Sequence, residues 1–226
     1  MASAPTEAKL LLVGTIGAIV SGVINFIMPS YLKSVRNTFW DAMQGAEVPE
    51  DVARAVANAA YMLSVLYIIV GIFIFLFAIG LIGGGRLFKK SSGTASGVFG
   101  LLAGLGAIIW GAGLVTFANL LLRYVEGTAS VKELSRSALM AGMGFFTYSI
   151  CNFLSGLLAL IYFFGSPSGW SGGIGGLLIF ISAITSIFIP SLEYLTGVGM
   201  ILMGIALFLQ SKIAQAPPPA EAPPPT

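Results

Sequence analysis

The residues of this chain able to do chemistry are few and scattered. Glu193 is the acid closest to a long apolar stretch, with Ser191 and Tyr194 beside it. A carboxylate buried among such partners is what a proton- or cation-coupled carrier requires. Pro190, three residues earlier, favours the plainer reading, a turn at the membrane edge where the carboxylate faces headgroups and stays ionised. Asn25, Asn119 and Asn152 fall within or near apolar runs, with Ser21, Thr116, Thr147, Ser149, Ser155, Ser182, Thr185 and Ser186. Uncharged amides and hydroxyls of this kind bond across helices for about 0.6–2 kcal/mol each. A hydrated pathway would use the same residues, with Asn25, Asn152 and Glu193 its first candidates, but interhelical bonding is the favoured reading.

Around these residues the usual catalytic and ligating groups are missing. The chain has no histidine and one cysteine, Cys151. That removes the commonest general base, metal ligand and haem ligand together, and one thiol closes neither a disulfide nor a zinc site. Cys151 lies in the apolar run from Tyr148 to Phe164 and reads as a small hydrophobe. Gly83-Gly84-Gly85-Arg86 lacks the Lys-Ser/Thr ending of a phosphate-binding loop. No enzyme activity, cofactor, metal or haem is therefore expected.

The elements that position these residues follow from composition. Of 226 residues, 57% are hydrophobic and 9% charged, and mean hydropathy is +0.95. A soluble domain carries about 25% charge, so this complement cannot coat a water-facing surface, and the expectation is an all-α, polytopic membrane bundle. A net charge of +2 offers no basic stripe for nucleic acid. A crossing helix needs about 20 apolar residues, and six runs qualify as spans: 10–32, 59–82, 98–122, 138–164, 173–189 and 192–209. The first is too long for a signal-peptide core and is read as retained. Gly83-Gly84-Gly85 reads as the stop of the second helix. The last two spans come from dividing one 40-residue apolar region at Pro190-Ser191, because a single helix of that length would run about 60 Å, twice the hydrocarbon thickness. Both are short, and a re-entrant pair is the alternative.

Six spans place both termini and the loops near 83–97 and 165–172 on one side, A, and the remaining loops on side B. Basic residues divide almost evenly, with Lys9, Arg86, Lys89, Lys90 and Lys212 on A against Lys33, Arg36, Arg54, Arg123, Lys132 and Arg136 on B. The acid-poor cluster Arg86/Lys89/Lys90 favours A as the cytoplasmic side, in the plasma membrane. Side B should carry a small cap. Leu32, Val35, Phe39 and Met43 make an apolar stripe on an interfacial helix over about 32–44; it reads first as a helix on the bilayer or its own bundle, then as a docking surface. Pro49-Glu50-Asp51 reads as a first helical turn, and Ser130-Val131-Lys132-Glu133 as a capping box. Residues 1–9 are a polar N-terminus; residues 212–226 are a tail in which Ala216-Pro217-Pro218-Pro219 and Ala222-Pro223-Pro224-Pro225 repeat. The tail reads as a solvated polyproline spacer.

Small residues stand at helix-contact spacing: Gly14, Ala18 and Gly22 on the first span; Gly100, Gly104, Ala107 and Gly111 on the third; Gly172 and Gly176 at the start of the fifth. Such stripes bring backbones together where lipid supplies no hydrophobic drive, and contact within the chain is favoured over contact with another. The third span has glycines on several sides, which predicts a central position. The leading expectation is a non-catalytic accessory or structural subunit of a larger membrane assembly, surrounded by lipid and by other integral subunits or copies of itself. The competing expectation is a small transporter or channel, single or homo-oligomeric, with hydroxyl- and amide-lined helices around the third span.

Overall fold

The computed structural model describes residues 4–29, 37, 48–167, 169–185 and 194–216. Among the described residues six helices follow in order: α1 Ala4–Ile27, α2 Glu50–Leu87, α3 Ser91–Val125, α4 Val131–Phe164, α5 Gly169–Thr185 and α6 Tyr194–Gln215. The described residues hold no strand, and the protein is an all-helical bundle. Five helices are long and apolar enough to cross a membrane, while α5 has 17 residues, about 26 Å at 1.5 Å per residue. The three longest helices, α2, α3 and α4, of 38, 35 and 34 residues, reach about 50–57 Å, well beyond the ~30 Å hydrocarbon layer. The interfacial helix expected near 32–44, Glu193 and the proline repeats of the tail lie outside the described residues.

Local signals account for the helix ends. α2 starts directly after Pro49, with Glu50 and Asp51 in its first turn, where carboxylates meet the positive end of the helix dipole. At α4, Ser130 accepts the Glu133 backbone N–H at 3.3 Å, and the Glu133 carboxylate accepts the Ser130 N–H at 2.8 Å, completing the capping box. The Ser130 amide, then its hydroxyl, hold the Glu133 carboxyl below its ordinary range, with Arg123 and Arg136 adding smaller favourable fields. α3 closes on a Schellman motif: Thr128 N–H donates to Arg123 O, Gly127 N–H to Tyr124 O, and Gly127 takes φ +73°. The same pattern closes α2, where Lys90 N–H donates to Gly85 O and Lys89 N–H to Arg86 O. Here Lys89 occupies the left-handed position at φ +53°.

The triplet Gly83-Gly84-Gly85 does not stop α2. The helix continues through it to Leu87 with all three glycines buried. A methyl on Gly83 would lie 2.8 Å from Leu10 Cβ, and one on Gly85 would meet the backbone of Gly93 and Thr94. Glycine here answers to neighbouring helices rather than to a helix terminus, and Leu87 marks the end because Lys89 can turn left-handed.

Each helix packs on its neighbours in sequence, and α6 returns to α1, so the six form a closed circuit of antiparallel neighbours. A glycine sits at every one of the six crossings. A methyl on Gly14 would lie 2.5 Å from Gly80 Cα between α1 and α2; one on Gly71 would lie 2.7 Å from Gly104 O between α2 and α3. A methyl on Gly106 would lie 2.5 Å from Tyr148 N between α3 and α4, and one on Gly176 would lie 2.8 Å from Gly156 O between α4 and α5. A methyl on Gly199 would lie 2.6 Å from Gly175 O between α5 and α6, and one on Gly22 would lie 2.7 Å from Gly197 O where α6 closes on α1. Real Cβ atoms do not approach backbone this closely, so each crossing exists because a side chain is absent.

α3 is not central. Its glycines divide between two neighbours, with Gly97, Gly104 and Gly111 against α2 and Gly106 and Gly113 against α4. Val98, Leu102, Leu105 and Ile109 form an exposed outer stripe. Glycine all round this helix serves two flanks of a ring rather than a surrounded core. The middle of the bundle is filled instead by large side chains from several helices: Tyr67, Phe77, Trp110, Tyr148, Tyr162 and Met203 are all buried. Tyr67 meets Trp110 and Tyr148 edge-on, with centroids 6.0 Å apart in both pairs, the geometry favoured by ring quadrupoles.

Two consequences are measurable by reversible unfolding in mixed micelles. Gly80→Val should cost more than the roughly 1–3 kcal/mol of ordinary overpacking, because the obstruction is Gly14 backbone; Gly142→Ala, with open space around a Cβ, should be neutral or stabilising by up to about 1 kcal/mol. Lys89→Gly should stabilise by about 0.5–1 kcal/mol, since glycine adopts a positive φ freely.

Candidate functional site

The buried polar residues of the bundle form the candidate site, in four separate groups. Asn25 on α1 is fully buried. Its side-chain N–H donates to Ser21 O at 2.9 Å and approaches Met200 Sδ on α6 at 3.7 Å. Its carbonyl accepts from the Tyr148 hydroxyl on α4 at 3.1 Å. Ser21 Oγ lies 2.7 Å from Gly17 O and 3.1 Å from the same Met200 sulfur. Three helices that do not all adjoin are joined at this point.

Near side A, Tyr162 on α4 donates to Gln210 Oε1 on α6 at 2.7 Å, and Gln210 Nε2 donates to Ser166 Oγ at 3.0 Å. A methyl on Gly84 of α2 would strike the Tyr162 hydroxyl, so the absent side chain there makes room for this bond. Between α3 and α4, Ser96 Oγ donates to Ser155 O at 2.8 Å, and Ser155 Oγ to Ser96 O at 3.0 Å. Between α5 and α6, Thr196 donates to Ser182 Oγ at 2.8 Å.

The residues singled out in the sequence are distributed as follows. Gly14 lies against α2, whereas Gly22 faces α6 and Ala18 touches the approach of Gly204 from α6. Gly100, Gly104 and Gly111 face α2, and Ala107 is fully buried on the same helix. These stripes are occupied within the chain. Asn25 joins a cross-helix group, but Asn152, 5% exposed, does not reach it and makes no side-chain hydrogen bond among the described residues. Asn119 accepts from Tyr61 at 2.7 Å on a more exposed face. Thr116, Thr147 and Thr185 donate back to carbonyls four residues earlier, as threonines in apolar helices do.

Tyr162, Gln210 and Ser96 were not legible as site residues. Tyr162 hides in an apolar run, Gln210 falls one residue beyond the expected end of the last span, and Ser96 precedes the expected start of the third. Their one available signal was that helices longer than the bilayer would carry polar residues past the hydrophobic windows.

Among the described residues, no charged side chain is fully buried, although Glu7 Oε2 is a buried oxygen with no hydrogen-bond partner among them, and no three of His, Cys, Asp and Glu gather where they could hold a metal. The free cysteine, Cys151, is buried. What the groups offer chemically is neutral hydrogen bonding between helices. A groove of about 390 Å³ lies between α3 and α4, lined in part by Ile109, Ala112, Thr116, Met140, Met143 and Thr147, and its walls belong to the outer face of the bundle. No family model, curated protein or solved structure matches the chain.

The buried pairs can be told from wetted ones by mutation. Tyr162→Phe should destabilise by about 0.6–2 kcal/mol, the range for interhelical bonds in lipid, because it strands a buried Gln210 carbonyl. Tyr61→Phe, at the exposed Asn119 pair, should cost less, since water can replace the lost donor. Unfolding free energies in bicelles decide it; equal or reversed costs would mean that water reaches Tyr162.

Proposed function

We propose that this chain is a non-catalytic structural subunit of a larger membrane assembly, resident in the plasma membrane with both termini on the cytoplasmic side. The reading rests chiefly on one observation: the buried groups Asn25–Tyr148, Tyr162–Gln210, Ser96–Ser155 and Thr196–Ser182 satisfy one another directly. A carrier needs groups that exchange between its cargo and each other; these are committed to holding helices. Support for the orientation comes from Arg86, Lys89 and Lys90 beside the α2–α3 turn. Other integral membrane subunits would meet the chain through its outer apolar faces or its ends, because the glycine stripes are spent on its own crossings.

The test is affinity purification of the full chain from its own membrane in mild detergent, followed by native mass spectrometry. Stoichiometric unrelated membrane subunits are the expected result. A lone monomer or a symmetric homo-oligomer, joined to a liposome flux that Asn25→Leu abolishes without unfolding the protein, would overturn the proposal in favour of a small transporter.

A further inference from the structure

The groove between α3 and α4 has a definite depth, polarity and charged rim. Its α4 wall runs from Ser137 to Thr147, eleven residues or about 15 Å of helix, half of the ~30 Å hydrocarbon layer. It therefore spans one leaflet. The floor is made where the two helices touch: a methyl on Gly113 would lie 2.6 Å from Ala141 Cα, and Gly144 packs on the Trp110 backbone. The close approach leaves a channel flanked by Met140 and Met143, which are 66% and 63% exposed and whose unbranched side chains adapt to a flexible guest.

Hydroxyls in the lining do not offer themselves to a polar ligand. Thr116 donates to Ala112 O, Thr147 to Met143 O, and Ser137 to Leu134 O. With its donors turned into their own helices, the groove presents hydrocarbon.

Above its side-B end the chemistry changes. Arg136 stands one turn beyond Met140 on α4, and Arg123 two turns beyond Thr116 on α3, so each wall ends in a guanidinium; both are exposed. The ion pair among the described residues is Arg54–Glu50, and neither Arg123 nor Arg136 has a carboxylate partner within salt-bridge distance. Glu133, the acid between them, is bonded to the Ser130 amide and hydroxyl and held ionised, with both arginines in its field, so it offsets part of their charge and leaves an excess of positive charge at this end. Arg123 gives one N–H to Thr128 O at 3.4 Å and keeps the rest of its donors. A leaflet-deep apolar slot below two arginines that outnumber the one carboxylate between them is complementary to one kind of molecule.

We propose that this groove binds a single anionic phospholipid of the side-B leaflet, with an acyl chain between α3 and α4 and the headgroup phosphate between Arg123 and Arg136. Guanidinium groups match phosphate oxygens in geometry and charge, and basic residues between helices are the recurrent lipid-headgroup pattern. The site is independent of whether the chain works as a subunit or alone.

The test uses the full-length, delipidated protein titrated with phosphatidylglycerol or phosphatidylcholine of identical chains, read by native mass spectrometry. One phosphatidylglycerol should bind about tenfold more tightly than phosphatidylcholine, from two cations whose combined field Glu133 partly offsets. Arg123→Gln/Arg136→Gln should reduce phosphatidylglycerol to the phosphatidylcholine level, with each single variant losing part of the preference, while Arg54→Gln, the loss of one arginine charge at the same end, should leave the preference intact. Ala112→Phe, at an exposed lining position, should weaken both lipids; Thr116→Phe does the same job if that variant misfolds. Equal affinity of the wild type for the two lipids, retained selectivity in the arginine double variant, or unchanged binding in the groove-filled variants would each overturn the proposal. So would a dimer that Ala112→Phe dissociates, since a second copy would then occupy the groove.

Discussion

Two apolar helices in hydrocarbon gain nothing from leaving lipid unless their atoms fit each other more closely than acyl chains fit either one. That constraint governs this bundle. Gly14 against Gly80, Gly71 against Gly104, Gly175 against Gly199 and Gly22 against Gly197 let backbone meet backbone, and the α3–α4 and α4–α5 crossings use Gly106 and Gly156 in the same way. Dispersion contacts, small singly and large in sum, then accumulate along helices of up to 38 residues. The circuit closes because a glycine contact exists at the α6–α1 seam as well as at the five crossings between successive helices.

Closure at the perimeter sets a demand on the interior. Helices held in a ring leave space between them, and here it is taken up by Tyr67, Phe77, Trp110, Tyr148, Tyr162 and Met203. Tyrosine suits this position, since its ring fills volume while its hydroxyl reaches a partner on another helix. Tyr148 reaches Asn25 and Tyr162 reaches Gln210, so the aromatic fill and the polar groups are one system. The Gly84 position shows the link most directly: the residue that permits close packing of α2 is also the one that admits the Tyr162 hydroxyl. These bonded pairs resist hydration, because a water entering them would have to displace a formed bond in a region of low dielectric.

The outer surface has the opposite character. Ile16, Val23, Met62, Val65, Leu105, Ile109, Leu139 and Phe146 are exposed, as lipid-facing residues should be, and the small residues are turned away from it. Polarity returns where the long helices leave the hydrocarbon layer. The Ser130 capping box, the Gly127 Schellman turn and the Arg54–Glu50 pair lie at side B; at side A, Lys90 donates to Gly165 O and ties the two short loops together. Asn25 and Met200 couple α1 to α6 across most of the sequence, so the first and last helices belong to one packed unit.

Composition and hydropathy alone determined that the chain is a helical membrane bundle, where most of its apolar runs lie, and which local motifs start its helices. These are local properties: a 20-residue window reports its own solvent, and Ser130 with Glu133 reports its own first turn. The spacing of Gly14, Ala18 and Gly22 marked a contact face, but only the tertiary structure decided that Gly14 meets α2 while Gly22 meets α6. The same limit explains the misreading of Gly83-Gly84-Gly85, whose meaning depends on Leu10 of α1, Gly93 of α3 and Tyr162 of α4. It explains the place of α3 too, because glycine on several sides of a helix is equally compatible with a centre and with a ring. The pairs Tyr148–Asn25 and Tyr162–Gln210 are separated by 123 and 48 residues, and no sequence period connects them. A side chain's solvent is written in its neighbourhood along the chain; its partner is chosen by which backbones can approach, and that is a property of all six helices together.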